Sequence, residues 1–434
     1  MGRRAAFVLG AVLVAAACAP TRAAPPPVPE MVGPQEPPAL ADMLPDVDGA
    51  DDPADDAGDD AGDEGTDTRT GPRPELIGVG LAGPDTIDGS PTGATGDTAD
   101  LERIGLTGWA AFERSLGDTL IRGGSPNASF AVAVGGEVVR AGGLGEGVAG
   151  ADVGPGTRFR IASISKIITA VLVLQLVDDG VIGLDEPVGG FLADRLGVTP
   201  SDPAVAAITA EHLLSHTSGL GPATPSFFGE RGLTCRQIAA AELAGRINAP
   251  GGGVRYSNTN SCLAGILVEE LTGLDYADAA YRRLLGPLGI TEMRLAGTYD
   301  IGPDEVEHFS RPDRNYMEAL GPAGGWIASA ADVVRIMDSL NPDSPGWRPL
   351  GDDLLERMRQ PPFGRPGGSL GLGLILYPDG TFGHTGTLES THAMTLARPD
   401  GVTWAVLVNG EFPRESARLR TFVDRALAAA FPVR

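Results

Sequence analysis

The run SISKIITAVLVLQLVDDG, residues 163–180, is apolar on nearly every side of a helix and stops at a glycine. A helix without a polar face must be covered all round, so this segment predicts a helix buried at the heart of the molecule, ending at Gly180. Ser163 and Lys166 stand three apart at its start, which puts them on one face with Cβ atoms roughly 5–6 Å apart. Lys166 is also the only lysine in the chain, every other basic side chain being an arginine. A guanidinium stays protonated and cannot accept a proton, whereas an amine can, so the single lysine marks a position suited to proton chemistry. Codon usage that replaced lysine by arginine everywhere else is the plain alternative.

The rest of the composition divides the chain. A length of 434 residues suits one large domain or two ordinary ones, and a hydrophobic fraction of 42% is ample for a core. The net charge of −24 is concentrated between Glu30 and Glu102, where 20 acidic residues face two basic ones among Pro, Gly and Ala. Residues 19–100 bury too little apolar surface to offset their ordering entropy and are expected to form a disordered acidic tether, spanning roughly 50 Å. Ahead of it, MGRRAAFVLGAVLVAAACAP has the layout of a secretory signal peptide, residues 1–18, too short for a stable membrane span. Its VAAAC ending resembles a bacterial lipobox with Cys18 as the lipidated residue; ordinary cleavage after an Ala-x-Ala site is the alternative. The expected location is therefore outside the cell, as a lipoprotein on the outer face of the membrane or secreted. Cys235 and Cys262 then remain as an even pair in an oxidising compartment, open to being a disulfide or two buried thiols. No basic patch argues for nucleic acid, and the acidic excess argues against anionic surfaces as partners.

From Leu101 onward the pattern is that of a folded domain. LERIGLTGWAAFERSLGDTLIRGG has helical spacing, and NASFAVAVGGEVVRAGG predicts two strands about the turn Gly135-Gly136. Near the other end, strands are predicted in GLGLILYPDGTFGHTG and STHAMTLARPDGVTWAVLVNG, with hairpin turns at Pro378-Asp379-Gly380 and Pro399-Asp400-Gly401, before a closing helix in PRESARLRTFVDRALAAAF. The middle is mainly helices and loops. The expected fold is α+β: an antiparallel sheet, from about 101–162 and 323–434, flanked by terminal helices and interrupted by a helical part, about 163–322.

Chemistry follows from the helix start. A serine hydroxyl becomes a nucleophile when a neighbouring base removes its proton, and a lysine is such a base once burial and a helix N-terminus lower its pKa. Ser165, adjacent to Lys166, points elsewhere and is excluded as nucleophile. Two further motifs follow in order: VRYSNTN, with Tyr256, Ser257 and Asn258 on a loop after Gly251–Gly253, and FGHTGTL, with His384, Thr385 and Gly386 at the end of a strand.

With these motifs the chain resembles the serine β-lactamase and penicillin-recognising peptidase superfamily, in its class C-like branch of β-lactamases, D-alanyl-D-alanine carboxypeptidases and related esterases. LLSHTSGL at 213–220 and AGGWIASAADVVRIM at 323–337 are similar to further family segments. The resemblance implies Ser163 as acylated nucleophile, Lys166 as its base and Tyr256 sharing the proton traffic and protonating the leaving group. It also implies Asn258 on the substrate's amide, Thr385 and His384 toward a substrate carboxylate, and backbone N–H groups of Ser163 and Thr387, beyond Gly386, as an oxyanion hole. No metal or organic cofactor is implied. The implied partner is a small molecule or a peptidoglycan peptide, with the membrane touched only through the N-terminal lipid and the domain a monomer. Two departures bear on substrate. His384 stands where the β-lactamases of this branch have lysine, and Glu389-Ser390 replaces a glycine-containing turn, placing a carboxylate beside the cleft.

His216 is read as structural, in a helix-ending turn, because a serine–lysine site needs no histidine; His308 and His392 are assigned no role. The expected activity is that of an exported serine hydrolase, D-Ala-D-Ala carboxypeptidase-like or esterase-like, with a β-lactamase or a non-catalytic cell-wall binding protein as the alternatives. Retention of Ser163, Lys166 and Tyr256 together favours catalysis.

Overall fold

The computed structural model describes residues 106–145, 152–229, 232–364 and 369–430. The signal peptide with its Cys18 site and the acidic tether lie outside the described residues.

In chain order the strands and the helices of nine residues or more are α1 (Leu106–Arg122), β1 (Asn127–Val134), β2 (Glu137–Gly145), β3 (Phe159–Arg160), α2 (Ser165–Asp178), α3 (Cys235–Ala244), α4 (Asn258–Thr272), β4 (Arg294–Leu295), β5 (Trp326–Ala328), α5 (Ala330–Asp338), β6 (Ile375–Leu376), β7 (Phe382–Leu388), β8 (Thr391–Ala397), β9 (Val402–Asn409) and α6 (Arg418–Ala430). Six strands form one antiparallel sheet in the order β2-β1-β9-β8-β7-β6. It is thus built from both ends of the described domain, as the sequence pattern predicts. Gly135 and Gly136 turn β1 into β2 with φ of 56° and 91°, a conformation open to glycine at both positions.

The central strands are buried on both faces, and their alternation lies in side-chain size. Phe130, Val132 and Val134 of β1, with Trp404, Val406 and Val408 of β9, pack against Trp109, Phe112 and Leu116 of α1 and Leu419, Phe422 and Val423 of α6. The opposite face carries small residues, Ala131, Ala133, Ala393 and Ala405, in the larger core shared with α2, α4 and α5. Small side chains on that face let the helical half approach closely. Every residue of α2 from Ser165 to Leu176 is buried, in line with its all-round apolar sequence. Each fully buried Leu or Ile there contributes about 1.5–3 kcal/mol.

A second sheet, in the order β3-β5-β4, is absent from the sequence reading. Its strands are two or three residues long, too short for an alternating pattern to register. A disulfide joins Cys235, the first residue of α3, to Cys262 in α4. Cross-linking residues 27 apart stabilises by about 3–4 kcal/mol through the unfolded chain.

Candidate active site

Ser163 lies in the single 3-10 turn Ala162–Ile164 that links β3 to α2. Ala162 has φ of +48°, a left-handed conformation that costs a residue with a Cβ about 1 kcal/mol or more. Three contacts hold it there. Ser165 Oγ donates to Ala162 O (2.6 Å) and accepts from Trp326 N (3.4 Å), so the serine excluded as nucleophile ties down the nucleophile's turn. On the far side Gly386 of β7 presses against the turn: a Cβ on it would lie 2.3 Å from Ile161 O and 3.0 Å from Ala162 Cβ. Below, the Arg160 guanidinium is buried and donates to Ser310 Oγ (2.9 Å), Tyr316 Oη (2.6 Å) and Thr298 O, anchoring β3.

Residues three apart across a 3-10 turn nearly eclipse, and Lys166 Nζ accordingly sits 3.0 Å from Ser163 Oγ. The amine is 2% exposed and has two further oxygen partners, Asn258 Oδ1 at 2.8 Å and Ala323 O at 2.7 Å. Burial pushes its pKa down to about 7, since the low-dielectric interior disfavours the ammonium. A neutral amine has two N–H donors and one lone pair. The two donors satisfy Asn258 Oδ1 and Ala323 O, and the lone pair is left for the Ser163 hydroxyl proton. The Ala323 carbonyl is itself fixed: Thr169 Oγ1, 2.7 Å from the buried Tyr276 hydroxyl, donates to the neighbouring Pro322 O (2.8 Å).

The Tyr256 ring centroid lies 5.0 Å from Lys166 Nζ. Burial raises the phenol's pKa, so it is a neutral O–H donor at rest. Beyond it, Ser257 caps the N-terminus of α4, its hydroxyl accepting from Thr259 N, and Asn258 is the first residue of that helix. The second motif was expected on a loop; Tyr256 does lie on one, while Asn258 opens α4. With Oδ1 on Lys166, the Asn258 NH2 end is the one able to donate to a substrate.

His216 is not a triad base. It sits in the turn after the helix Ala210–Leu214, as the sequence suggested, with φ of +56° and its ring stacked on Tyr256 at 4.3 Å. Its Nδ1 accepts from Ser257 N and from Asn260 Nδ2, both at 3.2 Å, and Ser218 Oγ holds Asn260 Oδ1 at 2.5 Å. Burial and the nearby Lys166 keep the imidazole pKa well below its usual value. It is a neutral plate behind the tyrosine.

The third motif runs along β7. Because β6 pairs only with Phe382 and Gly383, the sheet edge is open from His384 onward and faces the nucleophile's turn through Gly386. His384 is buried with Nδ1 2.6 Å from Thr385 O, and burial followed by the Lys166 charge lowers its pKa to about 4. At neutral pH it brings no positive charge to the site. Thr385 and Thr387 point the other way and are half-buried.

Behind Thr387 stands a residue that no local pattern announced. Ser416 Oγ donates to Gly386 O (2.7 Å) and lies 2.6 Å from Thr387 Oγ1 and 3.0 Å from His392 Nδ1. His392 therefore backs the third motif instead of standing idle on a strand. His308 is likewise engaged: its Nε2 accepts from Arg160 N (3.2 Å) and its Nδ1 lies 3.0 Å from Ser390 O, joining β3 to the β7–β8 turn. The Glu389 carboxylate is neither aimed at the nucleophile nor free in water: Arg311 holds it, Nε to Oε1 at 2.9 Å and N to Oε2 at 3.0 Å. Arg311 lies 78 residues away in sequence, which is why the pairing was not legible there.

The Beta-lactamase family model matches residues 109–429. Among similar proteins, penicillin-binding protein 4 of Amycolatopsis lactamdurans is 32% identical over 319 residues, covering 66% of this chain and 81% of that protein. Esterase EstB of Burkholderia gladioli is 29% identical over 383 residues, covering 74% of this chain and 94% of that one. The crystal structure of a D-stereospecific amidohydrolase from Streptomyces sp. superposes with a TM-score of 0.59 at 26% identity, covering 74% of this chain and 98% of that one.

Proposed function

The chain belongs to the beta-lactamase family of serine hydrolases, and from that premise we propose that it is an exported, esterase-like acyl hydrolase working through an acyl-enzyme at Ser163. The observation that carries this is the Lys166 amine, buried, 3.0 Å from Ser163 Oγ and poised near neutrality at about 7. Neutral Lys166 takes the Ser163 proton as Oγ attacks the substrate carbonyl, and the backbone N–H groups of Ser163 and Thr387 receive the developing oxyanion. Tyr256, kept protonated by burial, delivers a proton to the leaving group and regains one from Lys166. Water then attacks the ester at Ser163 by the same proton route in reverse, releasing the acid.

An ester with an uncharged acyl group suits the strand wall, where His384 is neutral and Glu389 is paired. The second reading, a D-alanyl-D-alanine carboxypeptidase, is favoured by the relative named as a penicillin-binding protein. In both readings Asn258 donates to a substrate amide or ester carbonyl. Export is supported by the Cys235–Cys262 disulfide, which suits an oxidising compartment. The same reading has Cys18 as lipid anchor, the acidic segment as tether, and a monomeric domain acting on small molecules or peptidoglycan peptides.

The test is incubation with a fluorescent penicillin and a panel of short-chain esters, read by turnover and intact mass. A covalent adduct and ester turnover that both vanish in Ser163→Ala are expected. No adduct and no turnover with any probe would leave a binding protein.

A further inference from the structure

The β7–β8 turn carries a charge arrangement that the reaction itself does not need. Along β7, His384, Gly386 and Leu388 are buried toward the core while Thr385 and Thr387 are half-exposed, and Glu389 continues the half-exposed row. Glu389 is the first residue of the turn after β7, two residues beyond Thr387 and so at most about 7 Å from it along the chain.

The position of Glu389 is fixed from several sides. Its neighbour Ser390 has φ of +50°, a conformation a side chain rarely adopts, and is held there by its own polar contacts. Ser390 N and Oγ donate to Glu411 Oε1 at 3.1 and 3.3 Å, and Ser390 O lies 3.0 Å from His308 Nδ1. Opposite, the segment bearing Arg311 is braced by Tyr299, whose hydroxyl donates to Arg311 O and accepts from Arg314 N (3.1 Å). Both partners of the Glu389–Arg311 pair are thus placed by backbone contacts, and the carboxylate takes two donors from Arg311, Nε and the backbone N.

We propose that Arg311 and Glu389 form a charge filter at the strand-side rim of the cleft, selecting acyl or leaving groups without a carboxylate. With the pair closed, the Arg311 guanidinium already has its carboxylate. An anionic substrate meets Glu389 and would have to displace it to reach Arg311. An uncharged group faces no such competition. This inference rests on the esterase-like reading and names the substrate class that the same site takes.

The experiment compares kcat/KM for two matched pairs on the full chain. One pair is mono-4-nitrophenyl glutarate against 4-nitrophenyl butyrate, with the carboxylate on the acyl side. The other is 3-acetoxybenzoate against phenyl acetate, with it on the leaving side. Glu389→Gln releases Arg311 and is expected to raise the anionic-to-neutral ratio of at least one pair about tenfold, the size a half-exposed charge some 7 Å away supports. Arg311→Gln leaves Glu389 uncompensated and is expected to lower the same ratio by a similar factor. The double variant is expected to return near the wild-type ratio, and 1 M NaCl to flatten all the differences. Ratios that stay within twofold of wild type, or that move in the same direction in both single variants, overturn the filter. Wild-type protein that turns over no ester and takes no label at Ser163 would instead defeat the hydrolase reading.

Discussion

The two walls of the cleft are built on different principles. On the helical wall, Lys166 is fully buried with three oxygen partners, and Tyr256 is stacked on His216 with its ring 5.0 Å from Lys166 Nζ. On the strand wall, Thr385, Thr387 and Glu389 are half-exposed and backed by groups that come from distant segments, Ser416 and Arg311. Burial is what shifts the Lys166 and Tyr256 pKa values in opposite directions, one down to serve as base and one up to serve as proton donor. Solvent on the strand wall keeps charges screened, so that wall discriminates between substrates by modest factors. In the proposed mechanism, reactivity belongs to the helical wall and selectivity to the strand wall.

Breaking the helical wall should cost most. Lys166→Arg keeps a cation and removes the proton acceptor, so acylation of Ser163 by 4-nitrophenyl butyrate is expected to fall by about 10³-fold, measured by stopped flow. A loss below tenfold would separate the amine from the chemistry. Next comes Tyr256→Phe, whose effect should depend on the leaving group. An alkyl ester, which needs a proton on departure, is expected to lose about 10²-fold in kcat, and a 4-nitrophenyl ester, whose phenolate leaves unaided, only about tenfold. Equal losses for both esters would assign the tyrosine to positioning alone. The smallest effect sharpens the strand wall: Ser416→Ala removes the hydroxyl behind Gly386 and Thr387 and should lower kcat about tenfold with KM nearly unchanged. Ser416→Thr should recover most of it. A change in KM alone would mean that Ser416 shapes binding and not the oxyanion strand.

Legibility in the sequence follows the same division. Ser163 and Lys166 were readable because helical spacing alone brings them together, and α2 because its apolar residues leave no face for water. The hairpins at 135–136, 378–380 and 399–401 were readable from their turn residues, and the large sheet with them. The glycines before it place Asn258 on a loop, although Ser257, just before the apolar run of α4, is a helix N-cap signal. What stayed hidden depends on contacts between segments far apart in the chain. The Ala323 carbonyl that holds Lys166, Ser416 behind Thr387, and Arg311 on Glu389 carry no local pattern. His308 and His392 look idle in the sequence for the same reason, since buried hydrogen bonds leave no periodic trace.

Since the chain contains one lysine, labelling with 13Cε,15Nζ-lysine gives a single side-chain signal. Its titration reports the Lys166 amine directly. An amine whose pKa is lowered in the folded state is charged below that value and neutral above it, so the signal should titrate with a midpoint near 7. The kcat/KM for 4-nitrophenyl butyrate should rise with pH through the same midpoint, as neutral base accumulates. A midpoint near 10, the ordinary value for a solvated lysine, would contradict the claim that burial turns this residue into the base that activates Ser163.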